Sequence, residues 1–315
     1  MQRTRRELCL LGTKLAGVLA LGPTLACRSA PLSSRPEESE EPLFKISLAQ
    51  WSLHRALQAG ELSALEFPAY SSSAFDIQAV EYVNSFFKDK AGDFRWLAEL
   101  KQRAEDVGVR SVLIMIDGEG SLAADDEKMR RRAIDKHFKW IAAAKYLGCH
   151  SIRVNARGVG DWKADMERAA DSLVRLGVMG EDYGIDVIVE NHGGLSSNGE
   201  WLSGVMRTAD HPRVGTLPDF GNFRIAEGEV YDRYKGVTEL MPFAKAVSAK
   251  SNGFDEKGNE TQTDYLRMLR IVLAAGYRGH VGVEWEGGGV SEPEGVRLTR
   301  DLLIRVRDEL ALELA

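Results

Sequence analysis

Cysteine is nearly absent from this 315-residue chain, which has three. Cys9 and Cys27 fall in the first 42 residues, so the remainder keeps only Cys149 and cannot form an internal disulfide. Its stability must come from a packed core. An excess of positive charge is also missing, with 41 basic against 47 acidic side chains. The net charge is -6, and since residues 1–42 hold six basic and five acidic side chains, the body alone stands at -7. A nucleic-acid partner wants a basic face, and this balance argues against one. No apolar run beyond the first residues is long enough to span a bilayer. A glycine-rich phosphate loop is missing as well. The first strand-like run of the body ends in Gln50-Trp51-Ser52-Leu53-His54, which weighs against a doubly wound nucleotide-binding sheet.

What is there begins with a leader. Arg3, Arg5 and Arg6 precede an apolar run from Leu8 to Leu25, so residues 1–27 read as an export signal. Thr4-Arg5-Arg6-Glu7-Leu8-Cys9-Leu10 is similar to a twin-arginine motif. Thr24-Leu25-Ala26-Cys27 is similar to a lipoprotein cleavage box, with Thr24 where an aliphatic residue is usual. It would make Cys27 a lipid anchor and the one link to a membrane. Residues 28–42 (RSAPLSSRPEESEEP) are polar and aperiodic and read as a disordered tether. The expected location is the periplasm or the cell envelope, where neutral sugars are commoner than phosphorylated metabolites.

Residues 43–315 read as a single domain. Eight strand-like runs start at Phe44, Ala79, Ser111, Ser151, Asp186, Val214, Ala246 and His280. Amphipathic stretches separate them, and several of these end in a glycine, such as Gly148 and Gly184. The stretch Leu57–Phe75, with Pro68 and three serines, is the least regular. Eight β-runs each followed by a helix close naturally into a (β/α)8 TIM barrel.

In such a barrel the chemistry sits where strands end. VIVENHGG, TLPDFGNF and VGVEWEGG bring Glu190, Asp219 and Glu284 to that rim, where three carboxylates can hold a divalent metal and leave room for a substrate. Gly221 lets Asn222 fold back over the rim. Strand ends also offer His54, Asn155, Arg157, His192 and Lys250, while Trp51 and Trp285 on adjoining first and last strands can stack on a sugar face. His54 and Lys250 are candidates for proton transfer; Asn155, Arg157, His192 and Asn222 are candidates for substrate binding. His137, flanked by Lys136 and Lys139, reads as a solvated helix residue.

The order Glu, then Asp-x-x-Asn, then Lys, then V-G-V-E-W-E-G resembles the xylose-isomerase-like barrel superfamily, its sugar phosphate isomerase/epimerase branch above all. The resemblance covers roughly Leu43 to Leu312. It implies a divalent metal held from strands 5 to 8, at Glu190, Asp219, Ser248 and Glu284. It also implies proton shuttling α to a carbonyl through an enediolate, with Glu190 and Glu284 facing the substrate from two sides. The product would be an isomer or epimer of a small carbohydrate. Loss of a β-leaving group instead makes a lyase acting on a keto-sugar or 3-keto-glycoside. Ser248 stands where the family's histidine is usual. Three outcomes follow: a hard ion, Mg or Mn in preference to Zn, held by the three carboxylates; a nitrogen supplied by His192; or a lost metal with Lys250 in part of the site, which would suit a non-catalytic carbohydrate-binding barrel. The superfamily's DNA-repair endonucleases need many histidines, and only His54 and His192 reach this rim. A homo-oligomer is compatible with all of these readings.

Overall fold

A computed structural model describes residues 41–157 and 160–314. The leader and the tether up to residue 40 lie outside the described residues. Eight parallel strands form the centre: β1 (Lys45–Ala49), β2 (Ala79–Val83), β3 (Arg110–Met115), β4 (Ser151–Val154), β5 (Asp186–Glu190), β6 (Val214–Leu217), β7 (Val247–Ser251) and β8 (His280–Trp285). β1 is followed by two short helices, α1 (His54–Ala59) and α2 (Phe67–Phe75). The others are followed in turn by α3 (Phe94–Asp106), α4 (Glu127–Leu147), α5 (Trp162–Glu181), α6 (Gly199–Ala209), α7 (Arg233–Leu240), α8 (Tyr265–Ala274) and α9 (Glu292–Leu314). The result is the expected (β/α)8 barrel. Pro68 does not break the irregular stretch; it sits in the first turn of α2, where its missing N–H costs nothing.

The sheet is continuous from β6 through β1 to β8 and β7. Its seam, between β6 and β7, closes at two isolated bridges, Thr216 with Ala244 and Asp219 with Ser248. Pro218 explains the interruption. It has no N–H to continue the ladder, so β6 stops at Leu217 and Asp219 falls beyond it. The Pro218 carbonyl still accepts the Ser248 N–H at 2.9 Å. A short antiparallel hairpin, Arg224–Ala226 with Glu229–Val230, follows the seam and was not legible as strand.

Alternation sorts the side chains. Ala49, Ala79, Val83, Val112, Leu113, Met115, Ile188, Leu217 and Ala246 form a separate apolar cluster, all from the strands except Ala246, which precedes β7. The larger core, with Trp140, Trp201 and Leu97, lies between strands and helices. His137 belongs to this buried layer rather than to solvent. It is 2% exposed and its Nδ1 lies 2.6 Å from the Ala133 carbonyl, because α4 turns that face inward despite the flanking lysines.

Candidate active site

Side-chain amides and a hydroxyl extend the ladder past the strand ends and so place the functional groups. Asn191 Oδ1 accepts the Asp219 N–H at 2.7 Å and its Nδ2 donates to the Asp219 carbonyl at 3.0 Å. Asn84 does the same for Asp117, at 2.9 and 3.0 Å. Ser52 Oγ joins the end of β1 to β8 by donating to the Val283 carbonyl and accepting the Trp285 N–H, both at 3.0 Å. Each imitates a peptide group where the next strand has run out. Asp219 is therefore fixed by its neighbour's side chain, and its own Oδ1 accepts the Gly221 and Asn222 N–H groups at 2.8 Å each.

Glu190, Asp219 and Glu284 each offer an oxygen atom, all within 4.8 Å of one another, and all three residues are buried. Ser248 Oγ lies 2.6 Å from Asp219 Oδ2 and 2.8 Å from Glu284 Oε2. A hydroxyl has one proton and can donate to one of them only. The second contact is favourable when a carboxyl carries a proton or when the cluster shares a cation. Glu190 Oε2 is buried without a hydrogen bond. Burial raises the proton affinity of Glu190 and Asp219, and repulsion from Glu284 adds to it. Hard oxygen donors, surplus negative charge and a buried carboxylate oxygen without a hydrogen bond fit a divalent cation that prefers oxygen ligands.

Two buried cations stand among the carboxylates. Lys250 Nζ lies 2.8 Å from Glu284 and 2.9 Å from Glu286. Arg153 lies 2.9 Å from both Asp117 and Glu190, although its Nε approaches Glu190 too far off line to make a hydrogen bond. The electrostatic consequences differ with depth. Partial burial alone would raise Asp117 and Glu286, but the Arg153 and Lys250 charges outweigh it and hold both below the usual carboxylate range. Burial alone would lower Lys250, but its four carboxylate neighbours hold it well above the usual range. Beneath them Glu81 is fully buried, and burial pushes it up to about 8. Ser47 Oγ donates to its Oε1 at 2.5 Å. A Cβ at position 282 would come within 2.6 Å of that same oxygen, so Gly282 is what admits Glu81 to the barrel interior.

Above the cluster opens a cavity of about 350 Å³ lined by Trp51, Asp117, Arg153, His192, Lys250, Glu284 and Glu286, among others. A larger cavity of about 920 Å³ lies between α1, α2 and the start of α9, but none of the three cluster carboxylates lines it, so the smaller one is the mouth of the site.

The sequence-derived candidates distribute as follows. Glu190, Asp219 and Glu284 come together, and Lys250 joins them. Asn222 folds back as expected, its Nδ2 donating to Glu190 Oε1 at 2.8 Å. His192 lines the mouth but is not a fourth member of the cluster. Arg157 donates to its carbonyl at 2.8 Å and lies 2.5 Å from its Nδ1, which leaves Nε2 as the protonated nitrogen. Burial, and then the charges of Arg153, Lys250 and Arg157, keep that imidazole neutral. A nitrogen ligand from His192 is therefore not what this geometry offers. Gly193, at φ 79°, leaves the room that Arg157 occupies.

One of these placements corrects the expectation. Trp285 does not face a sugar. Because Glu284 points inward, Trp285 points outward, is 1% exposed, stacks on Phe254 at 5.7 Å and lies over Gly295 of α9. His54 stacks on Trp51 at 4.7 Å, its Nδ1 is 2.8 Å from the Trp51 carbonyl, and it does not line the mouth. Asn155 is committed to Asp117 Oδ1 at 2.8 Å and is likewise absent from the lining. Conversely Arg153, Asp117 and Glu286 are central to the site and were not selected from sequence. The signal was available: Arg153 stands two residues before Asn155, and Glu286 two after Glu284, each on the inward alternation.

The sequence profile of the xylose isomerase-like TIM barrel family matches residues 70–306. The chain belongs to this family. The crystal structure of the apo 3-keto-D-glucoside 4-epimerase from E. coli superposes with a TM-score of 0.66 at 15% identity, covering 83% of this chain and 99% of that one. A xylose isomerase-like barrel from Mycobacterium smegmatis in complex with magnesium gives 0.64 at 15% identity, covering 84% and 96%. Among curated proteins, the C-glycoside deglycosidase alpha subunit of Arthrobacter globiformis is 43% identical over 49 residues. That segment is 16% of this chain and 14% of the relative. The structural likenesses fix the fold of this family member, and the short match adds a local relationship.

Proposed function

We propose that this barrel is a divalent-metal-dependent enzyme that moves a proton α to a carbonyl of a carbohydrate, and so isomerises or epimerises it. The observation that carries the reading is the buried cluster of Glu190, Asp219 and Glu284, whose oxygen atoms lie within 4.8 Å of one another beside a mouth cavity. Those three carboxylates would hold the ion, Mg or Mn in preference to Zn because the donors are all hard oxygens. When bound, the ion supplies a Lewis acid beside the substrate carbonyl.

The chain's own groups do the rest. Glu190 is the base. Its proton affinity is raised by burial, its Oε2 lacks a hydrogen bond, and Asn222 holds Oε1 and so sets its orientation. Glu284 is fastened by Lys250 and Ser248 on the opposite side of the cluster and supplies the second carboxylate. Lys250 and the neutral His192 line the mouth and counter negative charge that develops on the substrate's oxygens.

A second reading keeps the same first step. The match to a C-glycoside deglycosidase subunit favours a lyase, in which proton removal is followed by departure of a β-substituent. Proton NMR in deuterated water with Mn- or Mg-loaded protein, ketoses and 3-keto-glycosides tests both. Deuterium entering α to a carbonyl supports the shared step, and the product separates isomer, epimer and elimination. Absence of exchange with every sugar of the panel would sink both readings. Export rests on the leader sequence and is part of the same proposal; recovery of the unprocessed chain in the cytosol would contradict it.

A further inference from the structure

The reading above leaves the substrate class open, and the charges around the mouth narrow it. Every buried cation at the mouth is already neutralised. Lys250 and Arg153 are 4% and 5% exposed, and each lies between two carboxylates. Arg157, the other cation beside the cavity residues, is turned onto the His192 carbonyl and ring nitrogen. The outer edge of the mouth is set by two half-exposed carboxylates, Asp117 and Glu286, with 39% and 38% of their side chains exposed. They belong to opposite sides of the barrel, Asp117 just past β3 and Glu286 just past β8.

Helix N-termini make the same point independently. In a (β/α)8 barrel they face the catalytic rim, and a phosphate bound there takes their free N–H groups. Here six helices give up one such N–H each to a side-chain cap, five of the caps being aspartates. Asp93, Asp126, Asp161, Asp232 and Asp264 cap α3, α4, α5, α7 and α8, and Asn198 caps α6. At α1 the buried Glu292 carboxylate reaches across from α9 and accepts the Arg55 and Ala56 N–H groups at 2.7 and 3.0 Å. A phosphate arriving at this rim would meet acidic caps, two cations each held between carboxylates, and Arg157 with its guanidinium engaged by His192.

We propose that Asp117 and Glu286 form a specificity lip that binds the hydroxyl groups of an uncharged sugar and turns away phosphorylated or carboxylated ones. The proposal rests on the assignment of the site to carbohydrate proton transfer. Both groups are fixed in place for the task. Asp117 is held by Arg153 and Asn155 through one oxygen, Oδ1, which leaves the other for a substrate hydroxyl. Glu286 accepts from the Trp51 indole at 2.8 Å through Oε1 and from Lys250 through Oε2, so it also fixes the ring that borders the mouth. An ionised carboxylate accepts from two sugar hydroxyls at once, and it repels a phosphate at the same distance.

Deuterium wash-in by the metal-loaded protein tests the lip with matched probes, D-fructose against D-fructose 6-phosphate and a 3-keto-glucoside against its 6-phosphate. The lip predicts exchange in the neutral member at least about tenfold faster than in its ester, a gap that shrinks with added salt. It also predicts that millimolar inorganic phosphate does not inhibit. In Asp117→Asn and Glu286→Gln the KM for the neutral sugar rises about tenfold while kcat changes little, the size of one lost charge-assisted hydrogen bond. The discrimination against the ester narrows in both. Exchange that favours the ester, or phosphate inhibition of the wild type, overturns the lip and leaves the proton-transfer reading standing. Exchange in neither member of any pair removes the proton-transfer reading and the lip with it. If a variant loses its fold, the wild-type ester ratio and its salt dependence decide alone.

Discussion

Two cation-centred triads hold the mouth from opposite sides of the barrel. On β4, Arg153 joins Asp117 at the lip to Glu190 below. On β7, Lys250 joins Glu286 at the lip to Glu284 below. Each has one buried carboxylate, one half-exposed carboxylate and one buried cation, yet the two are not equivalent. Glu284 has Lys250 on one oxygen and Ser248 on the other, both at 2.8 Å. Glu190 has Asn222 on one oxygen and a misaligned Arg153 on the other. Neither cation completes a hydrogen bond to its deeper carboxylate, so the triads differ in the remaining partner. Ser248 ties Glu284 to Asp219, whereas Asn222 holds Glu190 by one oxygen and leaves Oε2 without a hydrogen bond, which keeps Glu190 the carboxylate able to exchange a proton.

The largest expected effect concerns the two deeper acids. Glu190→Gln should lower proton exchange about 10²- to 10⁴-fold, the range for loss of a general base. Glu190→Gln and Glu284→Gln should each also destabilise the fold by about 3 kcal/mol, because Arg153 and Lys250 each lose a buried partner. The distinction between the triads lies in exchange, and a Glu190→Gln protein that exchanges as fast as wild type would erase it. Lys250→Met comes next. Several carboxylates then face each other without their cation, and a loss of about 3 kcal/mol is expected. Added Mn²⁺ should raise the melting temperature of this variant more than that of wild type, since one cation substitutes for another; an equal rise counts against a shared site.

Asn191→Ala removes the two hydrogen bonds that place Asp219. It should cost about 2 kcal/mol and weaken metal binding about 10-fold or more, and it also frees the Asn222 carbonyl, which the same amide holds at 3.3 Å. Unchanged metal affinity would show that Asp219 does not depend on this amide. The last effect is a pH dependence and concerns Glu81 below both triads. Its pKa is raised from 4.5 to about 8, so between those values the native state keeps a proton that the unfolded chain releases. Its contribution is therefore full below pH 4.5 and is lost as pH rises towards 8. The stability of Glu81→Gln relative to wild type should accordingly improve over that window, and a pH-independent difference would contradict the assignment.

The barrel was legible because eight β-runs and their glycine stops repeat the same local rule, and the metal-type cluster was legible because strand ends are marked by acid and glycine. Partnerships were not. Nothing local says that Arg153 reaches Glu190 from the next strand, or that Asn191 spends its side chain on a neighbour's backbone. Trp285 was misplaced because neighbours along a strand face opposite ways, so an inward Glu284 sends it outward. His137 was misplaced because its charged neighbours in sequence are not its neighbours on the helix face. Pro218 opens the seam of the sheet, an effect that depends on which strand lies beside it.

The central claim is that the three carboxylates form one metal site, and Mn²⁺ binding followed by electron paramagnetic resonance tests it directly. Wild type should bind one ion per chain. Since Glu190 and Asp219 hold protons more tightly than ordinary carboxylates, affinity should climb as pH rises through about 7. The triple variant Glu190→Gln, Asp219→Asn, Glu284→Gln should bind none. A wild type that takes up no ion at any pH, or a triple variant that binds as wild type does, would contradict the account.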